Sequence, residues 1–88
     1  MVVDFWASWC GPCKAMAPEF ERASAQLQAA ARLAKLNTEN EPAIAAQFSI
    51  RSIPTMVLFR NGREVARRSG AMKSADIVRW VQTQNKAA

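Results

Sequence analysis

Cys10 and Cys13 are the only cysteines of the chain, and two residues separate them. They follow an apolar run, Val2-Val3-Asp4-Phe5-Trp6, that reads as a buried strand, and a helical pattern begins where they sit. A strand that passes into a helix through C-x-x-C puts a thiol at a helix N-terminus. Unpaired backbone N–H groups favour negative charge there, so the Cys10 pKa is expected to fall and its nucleophilicity to rise. Cys13 lies one turn further in, on the apolar stripe, and is expected to be more buried and less acidic. This asymmetry gives two roles in thiol–disulfide exchange. Cys10, expected to be exposed, attacks a substrate disulfide, and Cys13 resolves the mixed disulfide. Pro12 suits the first helical turn, where its missing N–H costs nothing. Two plainer readings compete: a packed cysteine pair, or half of a zinc site. Zinc needs two further ligands, and the chain has no histidine and no other cysteine, which excludes a site within one chain but not one shared between two.

Four more residues could serve this chemistry. Asp4 is a lone carboxylate inside an apolar strand, which is costly and should raise its pKa. It reads as a buried acid that exchanges protons with Cys13, against the simpler alternative of a side chain reaching solvent at a sheet edge. Lys35, on the neighbouring strand, is either its charge partner or an ordinary exposed lysine. Ile53-Pro54 precedes another strand. In the cis form it would set the Ile53 backbone against the dithiol, ready to hydrogen-bond a bound peptide; otherwise Pro54 is only a strand-start residue.

The elements that must position these residues follow from hydrophobic period and punctuation. Val2–Trp6 reads as an interior strand. Cys13, Met16, Ala17, Phe20, Ala23, Leu27 and Ala30 or Ala31 recur at helical spacing, predicting a helix from about 13 to 31 that continues through Pro18. A second strand covers Arg32–Leu36 and ends at Asn37. Asn40-Glu41-Pro42 begins a second helix, with Ile44, Ala45 and Phe48 toward the core. Met56–Phe59 is a third strand. Asn61-Gly62 turns it into an antiparallel edge strand over Arg63–Arg68, whose arginines guard the sheet edge. Gly70 ends that strand. Ser74 caps a last helix that buries Ile77, Trp80 and Val81. The expected fold is α/β, in the order β-α-β-α-β-β-α, with a four-stranded mixed central sheet and helices on both faces.

Composition narrows the class. Eighty-eight residues, half of them apolar and 22% charged, make one soluble domain over positions 1–88 with one modest core. Two close cysteines are too few for a disulfide scaffold. The net charge is +5, and seven of the twelve basic residues lie from Arg51 to Arg79. No aromatic residues are interleaved with these arginines as a nucleic-acid platform would need, so nucleic acid is not an expected partner. No apolar run approaches the roughly 20 residues of a membrane span, and nothing resembles a signal peptide. The expected location is cytoplasmic, without a membrane partner.

Taken together, these motifs resemble the thioredoxin family. Val-Asp-Phe-Trp-Ala-x-Trp-Cys-Gly-Pro-Cys-Lys at 3–14, Lys-Leu-Asn at 35–37, Ile-Arg-Ser-Ile-Pro-Thr at 50–55, Phe-x-Asn-Gly at 59–62 and Gly-Ala at 70–71 match in order and spacing. Asn37-Thr38-Glu39 and Ile50–Thr55 look particularly like the bacterial thioredoxin-2 branch, without that branch's N-terminal zinc-binding segment. The resemblance implies a protein-disulfide reductase with Cys10 as nucleophile, Cys13 as resolving thiol, Asp4 as buried acid and Pro54 as a cis-proline facing the dithiol. It implies that Trp6, Trp9, Gly11 and Pro12 shape the site, and that Ile53, Gly62, Gly70 and Ala71 belong to the fold or the substrate groove. It implies no bound cofactor or metal beyond the redox-active Cys10–Cys13 disulfide, with electrons from NADPH through a thioredoxin reductase. The partners implied are that reductase and disulfide-containing proteins.

Family members normally begin with another strand and helix before Val2–Trp6. The chain is therefore expected to be an N-terminally shortened domain and a monomer, with an open edge on the Leu33–Leu36 strand that invites pairing with another chain. Gly-Pro between the cysteines favours reduction, since oxidases and isomerases of the superfamily usually carry a histidine there. A periplasmic thioredoxin-like reductase is disfavoured by the uninterrupted spacing and by Asp4. The alternative from another class is a thioredoxin-fold binding or chaperone module with secondary redox activity.

Overall fold

A computed structural model describes residues 1–28 and 30–86. Its elements run in the expected order: β1 (Val2–Trp6), α1 (Gly11–Leu27), β2 (Leu33–Asn37), α2 (Pro42–Gln47), β3 (Thr55–Arg60), β4 (Arg63–Ser69) and α3 (Ser74–Lys86). The four strands form one sheet in the order β2-β1-β3-β4. β1 runs parallel to β2 and antiparallel to β3, and β4 is antiparallel to β3, so the sheet is mixed. β1 is an interior strand, and this explains why its sequence is apolar on both faces.

Side chains alternate along β1, so Val2, Asp4 and Trp6 share one face and Val3 and Phe5 the other. The first face carries the main core. There Val2, Met56 and Leu58 of the sheet meet Met16, Phe20, Ala23 and Leu27 of α1 and Ile77, Trp80 and Val81 of α3. Each such large side chain contributes roughly 1.5–3 kcal/mol when fully buried. On the second face Phe48, which closes α2, stacks against Phe5 at 6.3 Å and Phe59 at 5.2 Å between ring centroids.

Three expectations about the elements need correction. α1 begins two residues earlier than its apolar stripe, because Cys10 takes the N-cap. It also ends at Leu27, not near 31, although the residues beyond are good helix formers. The N–H groups of Ala30 and Ala31 both turn back onto the Leu27 carbonyl at 2.8 Å. The chain must reverse there to lay β2 parallel beside β1, and tertiary demand overrides propensity. Position 29, inside the expected helix, lies outside the described residues. Around α2 the half-buried residues are Ile44, Ala45 and Phe48, as expected of a core-facing side, though none is fully buried. Ser74 is the first residue of α3 and not its cap. The Lys73 carbonyl accepts the first helical bonds, and the Ser74 N–H donates to Glu19 Oε1 at 2.8 Å, so α1 satisfies one orphan donor of α3.

The turn between β3 and β4 uses Asn61 and Gly62 at φ 55° and 77°. Positive φ at both central residues is the twist that a two-residue hairpin needs.

Candidate redox site

The end of β1 and the start of α1 build the site. Ala7, Cys10 and Cys13 form a small buried cluster, with Trp6 and Ile53 packed against it. Cys10 is the N-cap of α1, at φ −89° and ψ 111°, and Pro12 lies in the first turn. The backbone N–H of Cys13 donates to Cys10 Sγ at 3.2 Å. The two Cα atoms are 5.2 Å apart and the sulfurs are joined as a disulfide. This is the helix-terminus environment expected for a stabilised thiolate.

One expectation fails here. Cys10 is not exposed: it is 5% accessible against 3% for Cys13. Capping geometry turns its sulfur back over the first helical turn, and Trp6 and Ile53 close over the pair. The surface residue is Trp9, 71% exposed, beside exposed Gly11 and Pro12. Access to the sulfurs is therefore narrow, and Trp9 is the large exposed apolar side chain beside them.

Asp4 is fully buried, and among the described residues neither of its carboxyl oxygens has a hydrogen-bond partner. Its side chain lies on the sheet face that α1 covers, so the solvent-reaching reading is wrong. Burial pushes its pKa up from 3.8 to about 6, and the charge of Lys35 pulls in the opposite direction with smaller effect. Lys35 sits directly across from Asp4 in the parallel register. It is exposed, with its Nζ 4.9 Å from the centroid of the Trp6 ring. Lys35 is thus a surface lysine that makes no salt bridge with Asp4 among the described residues and acts on its carboxyl only as a nearby charge.

The Ile53-Pro54 peptide bond is cis. The Ile53 carbonyl oxygen lies 3.8 Å from Cys10 Sγ, so this loop does face the dithiol. Pro54 is buried, and its carbonyl accepts from the Gly70 N–H at 2.9 Å. Gly70 has φ 97°, and Ala71 beside it is exposed. The structure thus brings Trp6, Trp9, Ile53, Pro54, Gly70 and Ala71 around one end of the sheet. A shallow hollow of about 200 Å³ between Trp9, Ile50 and Ile53 opens at the same end.

Several supports are not obvious in the sequence. Glu39 Oε1 accepts from both the N–H and the hydroxyl of Ser8 at 2.6 Å, and this holds its carboxyl below the usual range. Thr38 donates its N–H and hydroxyl to the Trp6 carbonyl at 2.9 and 3.1 Å. The segment after β2 therefore clamps the segment before Cys10. The one local signal is Asn37, whose Oδ1 accepts the Glu39 N–H at 2.9 Å in an Asx turn. Thr55 likewise fastens the proline loop, donating to the Ser52 carbonyl at 2.7 Å beside the Ser69 hydroxyl.

Among the described residues no group of three or more His, Cys, Asp or Glu could hold a metal, and no helix is long and apolar enough to cross a membrane.

Comparison with known proteins agrees with this geometry. The thioredoxin family model matches residues 1–83. The chain is 44% identical over 84 residues to thioredoxin C-3 of Corynebacterium nephridii, covering 96% of this chain and 57% of that protein. It is 46% identical over 81 residues to a thioredoxin of Mycoplasma pneumoniae, covering 92% and 78%. A thioredoxin-like protein of Synechocystis is 42% identical over 82 residues, covering 93% and 78%. A binding or chaperone module with secondary redox activity is not favoured, because the pair is bonded at the helix terminus and the relatives carry the thioredoxin name. The chain belongs to the thioredoxin family and is a thiol–disulfide oxidoreductase of the disulfide-reductase type, with Cys10 and Cys13 as its redox pair.

Proposed function

We propose that the chain reduces disulfides of other proteins by a directional exchange in which Cys10 attacks first. The observation that carries this is the Cys13 N–H aimed at Cys10 Sγ at 3.2 Å. The same donor that caps the helix stabilises a thiolate on Cys10 and not on Cys13. The Cys10 thiolate displaces one sulfur of the substrate, which leaves as a thiolate and takes a proton. The Cys13 thiol gives up its proton and attacks Cys10 Sγ. The second substrate sulfur leaves, and the Cys10–Cys13 disulfide forms. The substrate gains two electrons and two protons, and the pair loses them.

Asp4 is the proton acceptor for Cys13 in this reading, directly or through water. Its burial, its unpartnered oxygens and a pKa of about 6 suit a group that changes charge near neutral pH. Trp9, Ile53, Pro54, Gly70 and Ala71 line the groove that receives the substrate chain, and Trp6, Gly11, Pro12 and Lys35 support it. Reduction of the disulfide back to the dithiol draws on NADPH through a thioredoxin reductase. The reading extends to one monomeric domain working in the cytoplasm, near the thioredoxin-2 branch. The motifs at Asn37–Glu39 and Ile50–Thr55 support that branch.

Insulin reduction with dithiothreitol tests the core of this. The wild-type chain is expected to accelerate precipitation, and Cys10→Ser to abolish the acceleration. Equal rates for the two would overturn the reading.

A further inference from the structure

A hollow of about 560 Å³ lies between the end of β4, the loop from Gly70 to Lys73 and α3, and the dithiol chemistry does not use it. Its walls include Arg68, Ala71, Lys73, Asp76, Arg79 and Trp80. We propose that this hollow receives an acidic segment flanking the disulfide of a protein substrate. The proposal rests on the reading that the chain reduces protein disulfides, and it names the class of substrate preferred.

Continuity with the site comes first. The Ile53 carbonyl lies 3.8 Å from Cys10 Sγ, and the next residue, Pro54, is tied to Gly70 at 2.9 Å. Ala71 follows and forms the near wall of the hollow. A substrate backbone laid across the proline loop is therefore led over Gly70 and Ala71 into it. Arg68 stands across from Met56 in the β3–β4 register, which puts its side chain on the face that α3 covers.

Charge comes second. Three cations face one acid in the walls, and that acid, Asp76, pairs with Arg79 at 3.5 Å. Glu19 faces Lys73 from α1, but its carboxylate is engaged by the Ser74 N–H at 2.8 Å and by Arg22 at 2.5 Å. Arg68 and Lys73 make no ion pair among the described residues. Trp80 forms a low-polarity wall, which concentrates the field of the cations. Trp80 is also 8% exposed and offers no face for base stacking, so peptide carboxylates fit the hollow better than nucleic acid.

The test uses two disulfide peptides of one length, with four acidic or four basic residues on one flank, and the neutral bis(2-hydroxyethyl) disulfide. Each peptide's kcat/KM is divided by that variant's rate on the neutral disulfide. The wild-type chain should favour the acidic peptide by about tenfold at low salt, falling to about twofold at half-molar salt. Arg68→Glu with Lys73→Glu should bring the ratio below one. Arg32→Glu with Arg63→Glu changes net charge equally at the opposite end of the sheet and should keep most of the preference. An unchanged ratio in the first pair, or an equal loss in the second, overturns the proposal. A wild-type chain that reduces none of the three disulfides overturns the function itself, and the proposal falls with it.

Discussion

The backbone N–H of Cys13 donates to the sulfur of Cys10 at 3.2 Å, so the helix that carries one cysteine caps itself with the other. Opening the disulfide leaves that donor facing a thiolate. The two cysteines are almost equally buried, at 5% and 3%. The roles proposed for them therefore rest on hydrogen bonding and helix position, not on exposure.

Cys13→Ser should stop exchange halfway. Cys10 still attacks, but no thiol resolves the intermediate. The mixed disulfide with insulin should live at least roughly a hundredfold longer than in the wild type. Mass spectrometry after acid quenching reads it as one chain plus one insulin chain, and absence of that adduct would remove Cys10 as the attacking residue.

Asp4→Ala should change stability with pH in a defined direction. The carboxyl has a pKa of 3.8 ordinarily and about 6 in the folded chain. Between those values the folded state holds the proton more tightly than the unfolded one. Stability therefore falls as pH rises through that window, and the full penalty is present above about pH 6. Removing the carboxyl should improve stability relative to wild type by about 2–3 kcal/mol more at pH 7.5 than at pH 4. Urea denaturation at the two pH values measures this, and an equal difference at both would mean that Asp4 is not perturbed. In stopped-flow reduction the same variant should slow release of the mixed disulfide near neutral pH more than the first attack.

Glu39→Ala should loosen the loop before Cys10. Ser8 loses the acceptor of both its N–H and its hydroxyl. Exchange of the Ser8 amide hydrogen is expected to rise roughly tenfold, while core amides keep their protection. Because the Glu39 pKa is lowered, the wild-type clamp is intact above the ordinary 4.5 and is lost as pH falls through the lowered value. Unchanged Ser8 exchange would show that Thr38 alone holds the segment.

Gly70→Ala should cost about 1–2 kcal/mol of stability, because φ 97° is a conformation that side chains resist and there is no crowding to add to it. Gly11→Ala meets open space and an ordinary helical backbone, and should be neutral or slightly stabilising. Thermal unfolding of the two variants side by side gives the comparison; equal midpoints would contradict the role of backbone strain at Gly70.

The local features were legible because each rests on near neighbours in the chain. Asn61-Gly62 specifies a hairpin by its own backbone preferences, and the apolar stripe from Met16 to Leu27 is a face of one helix. Cys10 and Cys13 meet because three residues span one helical turn. The end of α1 was not legible, since the alanines after Leu27 favour helix and only the need to place β2 beside β1 ends it. Nor was the Glu39–Ser8 clamp, which joins residues 31 apart through a polar pair that any surface loop could carry.

From residue types and spacing alone came the fold class, the redox pair and the candidate partners Asp4, Lys35 and Pro54, because periodicity and short motifs encode contacts within a turn or a strand. Only the tertiary structure decided that Cys10 is covered, that the Asp4 carboxyl has no hydrogen-bond partner among the described residues, and that Ile53, Pro54, Gly70 and Arg68 continue from the sulfur into a basic hollow. Burial and charge at a point depend on what distant segments bring to it, and those segments meet only once the sheet has set its order and register.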